Sequence, residues 1–288
     1  MSKTMASPSE PDRAMPARDR WHLRVGTVVG AARWAAHPTE RREYEQRFSL
    51  AVQGTSQEGR AHRIAMRYFA LTERCMRLED RPAAREAIRV SGVDALPPRR
   101  LYAFVHSPSL WLLLHGMTRA GAPFSPVVAD WFWDDPHRDL RVGAVERAGG
   151  EIIPAGGSFD RIVAAATEGR HPALAVDVPG RTPLRFLGKP AALRSGLASL
   201  ALAVDVPIVP VLGRWNGMVP EVVLGAPIAP QGTPAELLAR VVAAVEAPLL
   251  AAPEYWMPYT SELWPGARAE HRAAFGESAP TAGVASVS

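Results

Sequence analysis

Apolar and polar positions along the chain switch repeatedly between a helical and a strand period. From 57 to 80, Ala61, Ile64, Ala65, Tyr68, Phe69, Leu71, Cys75 and Leu78 recur at intervals of three and four, and Arg81-Pro82 then ends the pattern. This spacing predicts an amphipathic helix. Residues 101–105 form a short uninterrupted apolar run, as in a strand buried on both faces. A helix is predicted over 108–119, with Pro108 in its first turn. Further strands are predicted over 126–129, 151–154, 173–178 and 207–212, with helices between them at 137–148, at 158–168 with Ser158 as N-cap, and at 194–204. A strand at 218–223 and a helix at 234–247 extend the series. Alternation of this kind predicts an α/β fold of three αβα layers around a central, mostly parallel sheet.

The ends of the chain break the periodicity. Residues 1–20 are rich in Ser, Pro and charge and are expected to form a disordered leader; 267–288 are small and polar and are expected to form a disordered tail. One domain is expected over 21–266. Residues 1–20 also lack the apolar segment of a signal peptide. No apolar run approaches the roughly 18 to 20 residues needed to span a bilayer. In 21–36, Trp21, Val25, Val28, Val29, Ala32 and Trp34 mix with Arg24 and Arg33, a composition that suits either an interfacial amphipathic helix or an ordinary first helix packed on the domain.

Composition narrows the chemistry. The chain has 288 residues, 47% of them hydrophobic, enough for one sizeable core. A formal net charge of +4 is carried almost entirely by arginine, which suits phosphate or carboxylate partners, an anionic membrane face, or simply a solvated surface. Cys75 is the single cysteine, so no intrachain disulfide or thiolate cluster can form, and the eight histidines show no metal-ligand spacing. No metal site is expected. The glycine-rich nucleotide motifs are absent, as is a Gly-x-Ser-x-Gly nucleophile elbow: Gly156-Gly157-Ser158 has the wrong spacing. Basic residues do not interleave with aromatics, so no nucleic-acid partner is expected.

What remains are residues at strand ends. His106 follows the apolar run at 101–105 and Asp177 closes the run at 173–178. A histidine and a carboxylate at one sheet edge form a geometry for proton transfer. His106 reads as a general base or as a hydrogen-bonded core histidine, and Asp177 as a catalytic or orienting carboxylate, a loop cap or an ion-pair partner of an arginine. Around them stand, in order, Arg147 before Gly149-Gly150, Phe186 to Ala191 (Phe-Leu-Gly-Lys-Pro-Ala), Pro207 to Val211 with Arg214, and Pro253-Glu254-Tyr255-Trp256.

In this order of segments, over roughly residues 60–265, the chain resembles the late acyltransferases of lipid A biosynthesis, a family that includes phosphatidylinositol mannoside acyltransferases. The resemblance implies a glycerolipid-acyltransferase-like fold and a direct transfer, without an acyl-enzyme. The acyl group would pass from acyl-coenzyme A or acyl-carrier protein, serving as co-substrate with no further cofactor, to a hydroxyl of a lipid, glycolipid or specialised-metabolite acceptor. His106 would be the base, and Arg147, Lys189 and Arg214 would bind phosphate groups of donor or acceptor, each being otherwise a surface or ion-paired residue. The expected setting is cytoplasmic, with peripheral contact at the inner face of the cell membrane as a further option. One position departs from the pattern. The family places Asp or Glu five residues after the histidine, where this chain has Trp111. Asp177 is the substitute expected by family position; the other reading is a catalytically silent protein of the fold that binds lipid, acyl chains or a partner enzyme. Trp131, Trp133, Trp256 and Trp264 read as an interfacial patch or as packing.

Overall fold

The computed structural model describes residues 15–135, 137–156, 159–258 and 263. Helices α1 (Ala17–Ala36), α2 (Pro38–Val52), α3 (Ala61–Glu79) and α4 (Pro82–Glu86) precede the sheet. The sheet strands are β1 (Arg89–Ser91), β2 (Leu101–Phe104), β3 (Ser125–Val128), β4 (Ile153–Pro154), β5 (Pro172–Ala175), β8 (Ile208–Asn216) and β9 (Val219–Leu224). Among them run α5 (Leu110–Arg119), α6 (Arg138–Arg147), α7 (Phe159–Thr167), a separate hairpin of β6 (Pro179–Phe186) and β7 (Lys189–Leu193), and α8 (Gly196–Val204); α9 (Pro234–Ala251) follows.

The sheet order is β1-β9-β8-β2-β5-β3-β4. Strands β8, β2, β5, β3 and β4 are mutually parallel, β1 is parallel to β9, and among the described strands of this sheet only the β8–β9 pair is antiparallel. The expected α/β sandwich is therefore present. Side chains alternate across β2 and divide the core in two. Leu101 and Ala103 join the layer of α8 and α9, whereas Tyr102 and Phe104 join the layer of α5 and α1. From β2 the chain crosses over to β3, beyond β5; from β5 it crosses to β8, beyond β2. The two connections run in opposite directions along the sheet, and α5 and α8, the helices they lead into, pack on opposite faces of it, the kind of strand-end position at which ligands bind in open α/β sheets.

Several boundaries move. Helix α1 starts at Ala17, inside the segment read as a leader, because Met15 is buried and its carbonyl accepts from Arg20 Nη1 at 2.6 Å. Residues 1–14, the tail at 267–288, the Ser158 cap and Trp264 lie outside the described residues. Helix α9 passes through Pro248, since Leu249 beyond it is fully buried and holds the last turn on the core. Helix α1 packs on α3 through Gly26 and Gly30. A Cβ at Gly30 would lie 2.6 Å from Ala70 Cα, so only glycine lets these backbones approach. Its outer face leaves Trp21 and Val28 exposed. Trp256 is fully buried and Trp133 is exposed, so these two do not share one patch; the Trp131 side chain lies outside what is described. No described helix is long and apolar enough to cross a membrane.

Candidate active site

Strands β2 and β5 run in register, Phe104 beside Ala175, and each ends in a short apolar extension, Val105 and Val176, before its polar residue. Parallel neighbours of matched length deliver His106 and Asp177 to the same edge. The His106 Nδ1 lies 2.9 Å from Asp177 Oδ1. The His106 backbone N–H also donates to both carboxylate oxygens, at 3.1 and 3.2 Å. Asp177 Oδ2 accepts a further bond, from Trp256 Nε1 at 2.9 Å. Asp177 is wholly buried, while the His106 side chain is 23% exposed.

Electrostatics follow from this arrangement. Burial alone pulls the His106 imidazolium toward deprotonation, but the charge of Asp177 and its hydrogen bond outweigh it, and the pKa stands above the ordinary 6.5. With Nδ1–H donated to the carboxylate, neutral His106 carries its lone pair on Nε2. A carboxylate that orients the ring and stabilises its protonated form therefore reaches His106 from β5. At position 111 the Trp111 ring instead stacks under the Arg141 guanidinium, 3.3 Å from centroid to Cζ.

The three expected phosphate binders do not gather around this pair. Arg147 ends α6, which runs back from the site edge toward the start of β4; neighbouring Gly150 abuts the Phe124 carbonyl at the start of β3, the opposite edge of the sheet. Arg214 is half exposed and pairs with Glu221 at 3.0 Å, because the β8–β9 register sets these residues opposite each other. Lys189 opens β7 at the hairpin tip. Burial draws its amine down to about 8, with Glu58 opposing. Its partner across the hairpin is Phe186, whose ring stands edge-on to Trp256 at 5.5 Å.

Other cations lie nearer the carboxylate in the chain. Between the base of the β6–β7 hairpin and the first turn of α8 is an open groove of about 600 Å³, lined in part by Arg181, Thr182, Arg194 and Ser195. Arg194 N–H donates to the carbonyl of Val178, next to Asp177, at 3.0 Å. Gly180 allows the hairpin to close there, since a Cβ would meet Leu193 and Arg194 backbone atoms at 2.4 Å. The hairpin reverses through the two-residue turn Leu187-Gly188, both with positive φ (50° and 74°), and of the two only Gly188 is a sequence signal for such a turn. The signal for Trp256 is its own chemistry, because a buried indole N–H needs an acceptor.

Compared with known proteins, the chain matches no family model and no curated protein. Among solved structures it is similar to a 1-acyl-sn-glycerophosphate acyltransferase from Thermotoga maritima, at 13% identity over 82% of this chain and 99% of that one, with a TM-score of 0.44.

Proposed function

We propose that the protein is an acyltransferase that moves an acyl group from a thioester, acyl-coenzyme A or acyl-carrier protein, to a hydroxyl of a lipid or small-molecule acceptor. The observation that carries this reading is the 2.9 Å contact between His106 Nδ1 and Asp177 Oδ1, at the strand edge where the chain's connections part in opposite directions, with the ring partly open to solvent. His106 Nε2 takes the acceptor's hydroxyl proton as the oxygen attacks the thioester carbonyl. The tetrahedral intermediate collapses with loss of the thiolate, which receives that proton from the imidazolium. Asp177 is the orienting carboxylate: it sets the tautomer and stabilises the imidazolium. General-base assistance of this kind supplies on the order of 10²- to 10⁴-fold. Arg181 and Arg194 supply the cationic groove for the anionic part of donor or acceptor. The exposed Trp21 and Val28 on α1, flanking Arg24, support peripheral contact with an anionic membrane face.

The test is thioester turnover by mass spectrometry, with a panel of acyl-coenzyme A and acyl-carrier-protein donors, an extract of host lipids and metabolites, and His106→Ala in parallel. Acceptor-dependent transfer that disappears in His106→Ala is the expected result. Absence of turnover across the panel, with lipid bound equally by both proteins, would replace the enzyme reading with lipid binding.

A further inference from the structure

We infer that Trp256 is the positioning residue of the His106–Asp177 pair, its indole N–H locking the carboxylate so that one oxygen is kept for the imidazole. The inference rests on the function proposed above. The two oxygens of Asp177 have divided roles: Oδ1 faces His106 Nδ1 at 2.9 Å and Oδ2 accepts from Trp256 Nε1 at 2.9 Å. The backbone N–H of His106 is shared almost evenly between both oxygens and does not distinguish them. The indole does.

Trp256 is itself held on all sides. Its ring is wholly buried and stands edge-on to Phe186, interplanar angle 75°. The residues beside it bond to the ends of the sheet: Met257 N–H donates to the His106 carbonyl at 2.8 Å, and the Tyr255 hydroxyl accepts from Trp215 N–H at 2.8 Å and donates to Trp215 C=O at 3.2 Å. Three successive residues thus tie the segment after α9 to the ends of β8, β5 and β2, and the indole arrives with little freedom. Packing alone would be met by phenylalanine; the N–H is what a buried carboxylate uses. Groups that hold the ligands of a metal from one step behind typically change affinity or activity by about 10- to 100-fold, and the indole stands in the same relation to the imidazole.

Two variants separate the bond from the bulk. Trp256→Phe removes the donor and some volume, and 3-benzothienylalanine incorporated at position 256 removes the donor while keeping the indole's shape. The charge of Asp177 and its hydrogen bond raise the His106 pKa, against the burial that lowers it. Losing the indole donor leaves its charge less dispersed, so the His106 NMR titration, assigned with His106→Ala, is expected to move up by about half a unit in both variants. Where turnover is measured, kcat is expected to fall about tenfold with KM unchanged, since the loss falls on orientation. A His106 midpoint unchanged or lowered in the isosteric variant overturns the inference, and that variant decides if Trp256→Phe fails to fold. The NMR arm needs no substrate. Absence of acyl transfer in the parent protein would therefore sink the proposed reaction while the role of Trp256 is still judged on its titration.

Discussion

The Arg141 guanidinium lies over the Trp111 ring, 3.3 Å from its centroid, at the position where the resembling family carries an acid. Arg141 is held there by Glu79, through Nε at 3.3 Å and Nη2 at 2.9 Å, and by an ion pair with Asp135. Both Glu79 and Arg141 are almost fully buried. Position 111 thus belongs to a structural network joining α3, α5 and α6, and the carboxylate partner of His106 comes from β5.

That network yields a stability prediction. Arg141→Met leaves Glu79 as an uncompensated buried charge and is expected to cost about 3–5 kcal/mol, read by urea unfolding. Adding Glu79→Met is expected to recover most of the loss, because the penalty belongs to the unpaired charge. A double variant no more stable than the single one would contradict this account.

Asp177→Asn should act on both rate and pH dependence. If His106 is the base proposed, its neutral form is the active one, so kcat/KM is expected to rise with pH, as an acidic limb, through a His106 pKa that stands above 6.5 in the parent. Removing the carboxylate charge that raises the pKa moves the limb to lower pH, and the plateau is expected to fall by about 10²- to 10⁴-fold. A limb that stays in place would mean that another group raises the His106 pKa.

His115 predicts acid sensitivity. Burial, then Arg85, Arg147 and Arg141, draw its pKa down to about 4, and its buried Nε2 has no hydrogen-bond partner. His171 is likewise drawn down to about 4, by burial and Arg100. Unfolded histidines bind protons near the ordinary 6.5, so between there and about 4 the unfolded chain holds more protons and stability falls as pH falls. For His115 the loss approaches about 3 kcal/mol at the acid end of that window. Denaturant titrations across it should show a shallower decline for His115→Leu than for the parent; parallel curves would exclude His115 as a source.

The arginines are separable. Arg181→Gln is expected to raise KM for an anionic substrate about tenfold, by loss of one charge-assisted contact. Arg214→Gln, which breaks only a half-exposed pair with Glu221, should leave KM near the parent value. The reverse ranking would move the anion site to the β8–β9 hairpin.

Helix α3, strand β2 and the α/β alternation were legible because their signals repeat within a few residues: apolar side chains at three and four positions put one helix face on the core, and a continuous run buries both strand faces. His106 and Asp177 were legible as polar residues closing such runs. The β6–β7 hairpin was missed because its strands are half exposed and lack a strong apolar signal.

The sequence by itself determined the fold class and the strand-end placement of the two residues on which the proposed chemistry turns, since backbone geometry and hydrophobic period act locally. Only tertiary structure decided that these residues meet across 71 positions. That meeting requires β5 to insert between β2 and β3, a matter of strand order that no local pattern encodes. The same holds for Arg214, whose partner is set by hairpin register, for Arg147, which helix direction carries to the far edge, and for Trp256, whose acceptor lies 79 positions away. Each depends on which surfaces pack together once the core closes, because buried polar groups are satisfied by whatever neighbours that packing supplies.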